Sequence, residues 1–153
     1  MTQEKLMKGR MIRARVLFGI TFIALLIFIG LYVDETHRVQ ETYRAQFNTC
    51  MNNVSSSIDS YLNAEGDLPL RYRRILSDVS NANCFSFLIT AMTDEQKKAV
   101  NELYTCMLKY PEQMQETERL KEMQTAATDM GENLDKGFEE AQKIVDSINK
   151  KGS

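Results

Sequence analysis

Arg71, Arg73 and Arg74 fall within four consecutive positions of the chain. Guanidinium groups at that density bind carboxylates or phosphates through paired N–H donors. They are therefore candidate partner-binding residues for an acidic protein or an anionic envelope polymer. Ion pairing with Glu65, Asp67 and Asp78, or simple solvation, is the competing account. Cys50, Cys84 and Cys106 supply thiol chemistry. His37, the single histidine, stands beside Asp34, Glu35 and Arg38, where it reads as a pH-sensitive contact or a solvated side chain.

No arrangement of these groups resembles catalytic machinery. Glu139 and Glu140 are adjacent, so on a helix they splay apart instead of facing one site. The sequence has no Glu-x-x-His pair for a di-iron bundle, no Gly-rich phosphate loop, no nucleophile elbow and no Cys-x-x-Cys. Catalytic, cofactor and metal residues are accordingly not expected, and the chain reads as non-enzymatic. Met114, Met123 and Met130 form a soft stripe at helical spacing, for which core packing is the simpler account than a metal or partner surface.

These residues must be held by helices. Val16 to Val33 is an uncharged run of 18 residues, VLFGITFIALLIFIGLYV. At about 1.5 Å per residue it reaches roughly 27 Å, near the thickness of a hydrocarbon core. It exceeds a signal-peptide apolar region and lacks a small-x-small cleavage site after it, so it reads as an uncleaved anchor. Lys5, Lys8, Arg10, Arg13 and Arg15 precede the run against Glu4 alone, whereas Asp34 and Glu35 follow it. The basic flank stays cytoplasmic, which places residues 34–153 outside the cell membrane. The expected organisation is a basic cytoplasmic tail (1–15), a transmembrane helix (16–33) and an extracytoplasmic helical bundle (34–153).

Beyond the span, apolar residues recur every three or four positions. Val39, Tyr43, Phe47, Cys50, Met51, Val54, Ile58, Tyr61 and Leu62 make one stripe, with no Gly or Pro between it and the span. A single helix from about residue 14 to 64 is expected, ending where Gly66 can take positive φ ahead of Pro69. A second helix is expected over about 70–92, with Tyr72, Ile75, Leu76, Val79, Ala82, Phe85, Leu88, Ile89 and Met92 buried and a weak point near Ser80–Ser86. Thr93-Asp94-Glu95-Gln96 is a capping box opening a third helix, which Pro111 interrupts. The fourth segment, about 112–150, keeps helical spacing despite Gly131 and Gly137. Those glycines either weaken it by about 1 kcal/mol each or admit a neighbouring helix closely.

The fold class is therefore all-α: one transmembrane helix continuing into an antiparallel four-helix bundle, whose fourth helix returns Lys150 and Lys151 towards the bilayer. In the first hairpin Cys50 and Cys84 come level to within roughly 3 Å along the axis. A Cys50–Cys84 disulfide is thus a candidate, and three buried thiols are the alternative.

The composition agrees with this reading. Two Pro and seven Gly in 153 residues are too few for a turn-rich β-sandwich, and a net charge of −2 offers no electrostatic basis for nucleic-acid binding. The expected partners are the lipid bilayer and a protein, either another species or a second copy engaged through the external helices. The span has no Gly-x-x-x-Gly for self-association. A ligand-sensing bundle or accessory subunit of a membrane complex is the other class that fits.

Three stretches also resemble a known family. Glu41-Thr42-Tyr43-Arg44-Ala45-Gln46-Phe47, Met92-Thr93-Asp94-Glu95 and Asn101-Glu102-Leu103-Tyr104 are similar to the N-terminal, membrane-anchored helical region of the YpeB spore germination family. The match lies within residues 16–120 and is interrupted. The resemblance implies a non-enzymatic partner of a wall-degrading enzyme in a spore-forming bacterium, and it transfers no site residue.

Overall fold

A computed structural model describes residues 3–63 and 66–148. Six α-helices follow one another: α1 (Gln3–Leu62), α2 (Leu68–Leu88), α3 (Asp94–Lys109), α4 (Pro111–Met114), α5 (Thr117–Glu132) and α6 (Phe138–Ser147). No strand occurs among the described residues. The chain divides into two units between Val39 and Gln40, a boundary inside α1.

The first unit is the N-terminal part of α1. Its best 18-residue window has a mean hydropathy of 2.7, and none of it is buried. Phe18, Ile23 and Phe28 are all exposed, and their five-residue spacing puts them on different sides of the helix. A helix this long and apolar on every face is able to cross a membrane.

The second unit is a helical bundle. Phe47, Met51, Val54 and Ile58 from α1 are buried with Ile75 and Val79 of α2, Val100 and Leu103 of α3, Leu120 and Met123 of α5, and Ile144 and Val145 of α6. Each such side chain contributes about 1.5–3 kcal/mol by leaving water. Met114, Met123 and Met130 are wholly buried, so they pack the core. Leu76 and Phe85 are only partly covered and Leu88 is exposed.

Polar contacts set the directions of the helices. Ser60 meets Arg71 near one end of the α1–α2 pair and Gln40 meets Thr90 near the other, so the two run antiparallel. Tyr72 with Met107 and Asn83 with Asn101 do the same for α2 and α3. On the other side of α1, Tyr61 bonds Gln115 and Ser55 bonds Thr128, which makes α5 antiparallel to α1.

The segment after Pro111 departs from the expected single helix. It is three helices, α4, α5 and α6. Gly137 has φ 83°, and α6 turns back against both α5 and α3, where Gln142 bonds Glu102. Any Cβ at Gly137 would collide with the Ala126 carbonyl oxygen, so close packing across this turn demands glycine. Gly131, by contrast, stays helical and lets α5 approach Met51 and Asn52 of α1.

Other local expectations fared differently. The Thr93 capping box is complete: the Gln96 amide donates to the Thr93 hydroxyl at 3.2 Å, and the Thr93 amide donates to the Gln96 side chain at 2.8 Å. Helix α2 passes through Ser80–Ser86 without a break. At the α1–α2 turn the left-handed residue is Asp67, with φ 54°, a conformation that Asp tolerates better than most side chains. Lys150 and Lys151 lie outside the described residues.

Candidate partner-binding face

The α1–α2 turn carries an open cleft of about 590 Å³ lined by Ser57, Ser60, Asp67, Leu70, Arg71, Arg73 and Arg74. Helical geometry gives the three arginines different tasks. Tyr72 and Ile75 point into the core, which turns Arg71 to the α1 side and leaves Arg73 and Arg74 exposed.

Arg71 is committed to the fold. Its Nη1 donates to the Ser60 hydroxyl at 2.6 Å and the Ser60 carbonyl at 3.2 Å, and its Nε donates to the Gly66 carbonyl at 3.1 Å. The last carbonyls of a helix lack internal donors, and a cation there also meets the negative end of the helix dipole. Arg71 is thus a capping residue for α1.

Arg73 and Arg74 have no ion pair or hydrogen bond among the described residues. Asp78 accepts from the Ser57 hydroxyl at 2.6 Å, Asp67 flanks the start of α2 with no side-chain capping bond and no ion pair among the described residues, and Glu65 lies outside the described residues. Two exposed guanidinium groups therefore stand beside the cleft, each with its forked set of donors unspent.

The cysteines are thiols in this structure, with Cys50 and Cys106 buried and Cys84 exposed. The level placement of Cys50 and Cys84 is sound, since the contacts of Ser57 with Asp78 and of Gln40 with Thr90 bracket them. Rotation about the α2 axis separates them. Ala82, Asn83 and Ser86 take the buried side, which turns Cys84 outward with Arg73, Ser77 and Asn81. The candidate Cys50–Cys84 bridge is consequently not formed in this structure, and the alternative of three buried thiols holds for Cys50 and Cys106 but not for the exposed Cys84. Burial pushes the Cys50 thiol above its ordinary range, helped by the Asp78 carboxylate and by Cys84.

A second open cleft, about 660 Å³, lies at the first turns of α3 and α6 and is lined by Glu95, Asp129, Asp135, Glu139 and Glu140 together with Lys98 and Lys136. It is the larger of the two, yet three of its five acidic residues, Glu95, Glu139 and Glu140, already serve the positive ends of α3 and α6. No group of three or more His, Cys, Asp or Glu side chains that could hold a metal ion occurs among the described residues. His37 is exposed. The distinction between Arg71 and its two neighbours was not legible in the sequence, although the helical phase set by Tyr72 and Ile75 hinted at it.

Comparison with family models, curated proteins and solved structures found no match to this chain. The likeness to the YpeB family stands on the quoted residues alone.

Proposed function

We propose that this chain is a non-enzymatic, single-pass membrane-anchored interaction module of the bacterial cell envelope. Its apolar N-terminal helix is the anchor, with the basic flank in the cytoplasm and the helical bundle outside. The module docks an acidic protein partner through Arg73 and Arg74. What carries this reading is the division of labour among neighbouring arginines, one spent on capping α1 and two exposed with no ion pair or hydrogen bond among the described residues.

The test is cross-linking of the full-length protein in intact membranes, followed by co-purification. An Arg73→Glu/Arg74→Glu variant should lose the partner while keeping its helicity. Unchanged recovery of the same partner would reject the reading.

The cleft itself favours one further reading, a sensor for small anions, because the Ser60 hydroxyl and the arginines share one concave surface. Stabilisation of the full-length protein by a small dicarboxylate or by inorganic phosphate, lost in the same variant, would favour sensing over docking.

A further inference from the structure

The exposed face of α2 continues well beyond its two arginines. Arg73, Arg74, Ser77, Asn81, Cys84 and Phe87 are all exposed and recur at helical spacing, forming one strip about 20 Å long. Its chemistry changes along its length. The N-terminal end carries Arg73 and Arg74 beside the exposed Leu70 (65%), the middle carries the short, uncharged side chains of Ser77, Asn81 and Cys84, and the far end shows Phe87 (56% exposed) and Leu88 (47%). Short side chains admit a second helix to close range, and a bulky apolar end gives that helix something to bury.

We infer that this strip seats an amphipathic helix of a partner protein, with carboxylates against Arg73 and Arg74 and an apolar side chain against Phe87 and Leu88. The inference rests on the docking role of the arginines and adds the shape and length of what docks. A straight strip of helical period is complementary to another helix, and the unpaired guanidinium groups select a carboxylate-bearing one. A second copy of this chain is a poor occupant. In a two-fold pair of copies anchored in one membrane, Arg73 and Arg74 would face their own equivalents. The chain's own acidic cleft, around Glu95 and Glu139, lies at the opposite end of the helical unit from the α1–α2 turn.

Site-specific photo-cross-linking tests this in the full-length protein in native membranes, with benzoylphenylalanine at Asn81 and a control at Thr125 on α5. The Asn81 adduct should be a protein absent from the Thr125 control, with its cross-linked peptide mapping to an acidic amphipathic helix. Adduct yield should fall at least about tenfold in Arg73→Glu/Arg74→Glu, as expected for loss of charge-assisted contacts. It should also fall in Phe87→Ser, an exposed substitution whose fold is verified by circular dichroism. Adducts to a second copy, to lipid or to a segment without carboxylates would overturn the inference. Partner loss in the arginine variant with no adduct at Asn81 would sink the helix strip and leave arginine docking intact, whereas no effect of the arginine variant would remove both.

Discussion

The Tyr72 hydroxyl donates to the Met107 carbonyl at 2.9 Å, filling a place that Pro111 leaves vacant. In an α-helix the carbonyl of residue 107 would accept from the amide of residue 111, and proline has none. Helix α3 accordingly ends at Lys109 with one buried acceptor satisfied from α2. Tyr72→Phe should cost about 1–2 kcal/mol, read as a lower urea midpoint for the full-length protein in micelles. The same substitution in a Pro111→Ala background should cost less, because the amide of residue 111 then supplies the missing donor. An equal cost in both backgrounds would detach Tyr72 from Pro111.

Alkaline pH should weaken the bundle in two stages. Burial, and secondarily Tyr61, raises the Tyr72 phenol above its ordinary 10.0, and burial with Asp78 and Cys84 raises the Cys50 thiol above its ordinary 9.0. In both cases the folded state holds the proton more tightly than the unfolded chain. The associated stability is complete below the unfolded pKa and is lost as pH climbs through the folded one. The urea midpoint should hold steady from about pH 7 to 8 and decline above about pH 9. Cys50→Ser should remove the first part of the decline and Tyr72→Phe part of the second.

The two glycines of the last segment should respond differently to alanine. Gly137→Ala forces a Cβ into the Ala126 carbonyl at a positive φ, a combination that should destabilise by roughly 1–3 kcal/mol. At Gly131 the tightest neighbour is the tip of the Asn52 side chain, at 2.9 Å. Asn52 can swing aside, and alanine gains about 1 kcal/mol of helix propensity, so Gly131→Ala should be close to neutral. Thermal unfolding of the pair decides the matter: similar losses would mean that Gly137 is no different from an ordinary helical glycine.

Arg71 should behave unlike its neighbours in stability as well as in docking. Arg71→Ala uncaps the end of α1 and should cost about 1–2 kcal/mol, whereas Arg73→Ala and Arg74→Ala should each stay within about 0.5 kcal/mol. A comparable loss from all three would contradict the division of roles.

Thiol labelling should report topology and burial together. A membrane-impermeant maleimide applied to whole cells should modify Cys84 and leave Cys50 and Cys106 unreacted until denaturant is added. Protection of Cys84 until the cells are permeabilised would place the bundle on the cytoplasmic side.

Short-range physics was readable in the residue order. The apolar run after Arg15, the three-and-four spacing from Val39 to Leu62 and the reciprocal bonds of Thr93 with Gln96 all depend on neighbours a few positions away. Their consequences are the same in any surroundings: the end of α1 and the start of α3 lie where those patterns put them, although α1 begins at Gln3, well before the expected residue 14. Tertiary packing decided the rest. Whether the chain continues through Gly137 or folds back depends on the Ala126 carbonyl, and whether Cys84 can reach Cys50 depends on which side of α2 the core takes. Arg71 became a structural cap because the end of α1 sits beside it, a neighbour eleven positions away in sequence. Axial position follows from counting residues along a helix, but azimuth and close approach are set only when several helices compete for one core.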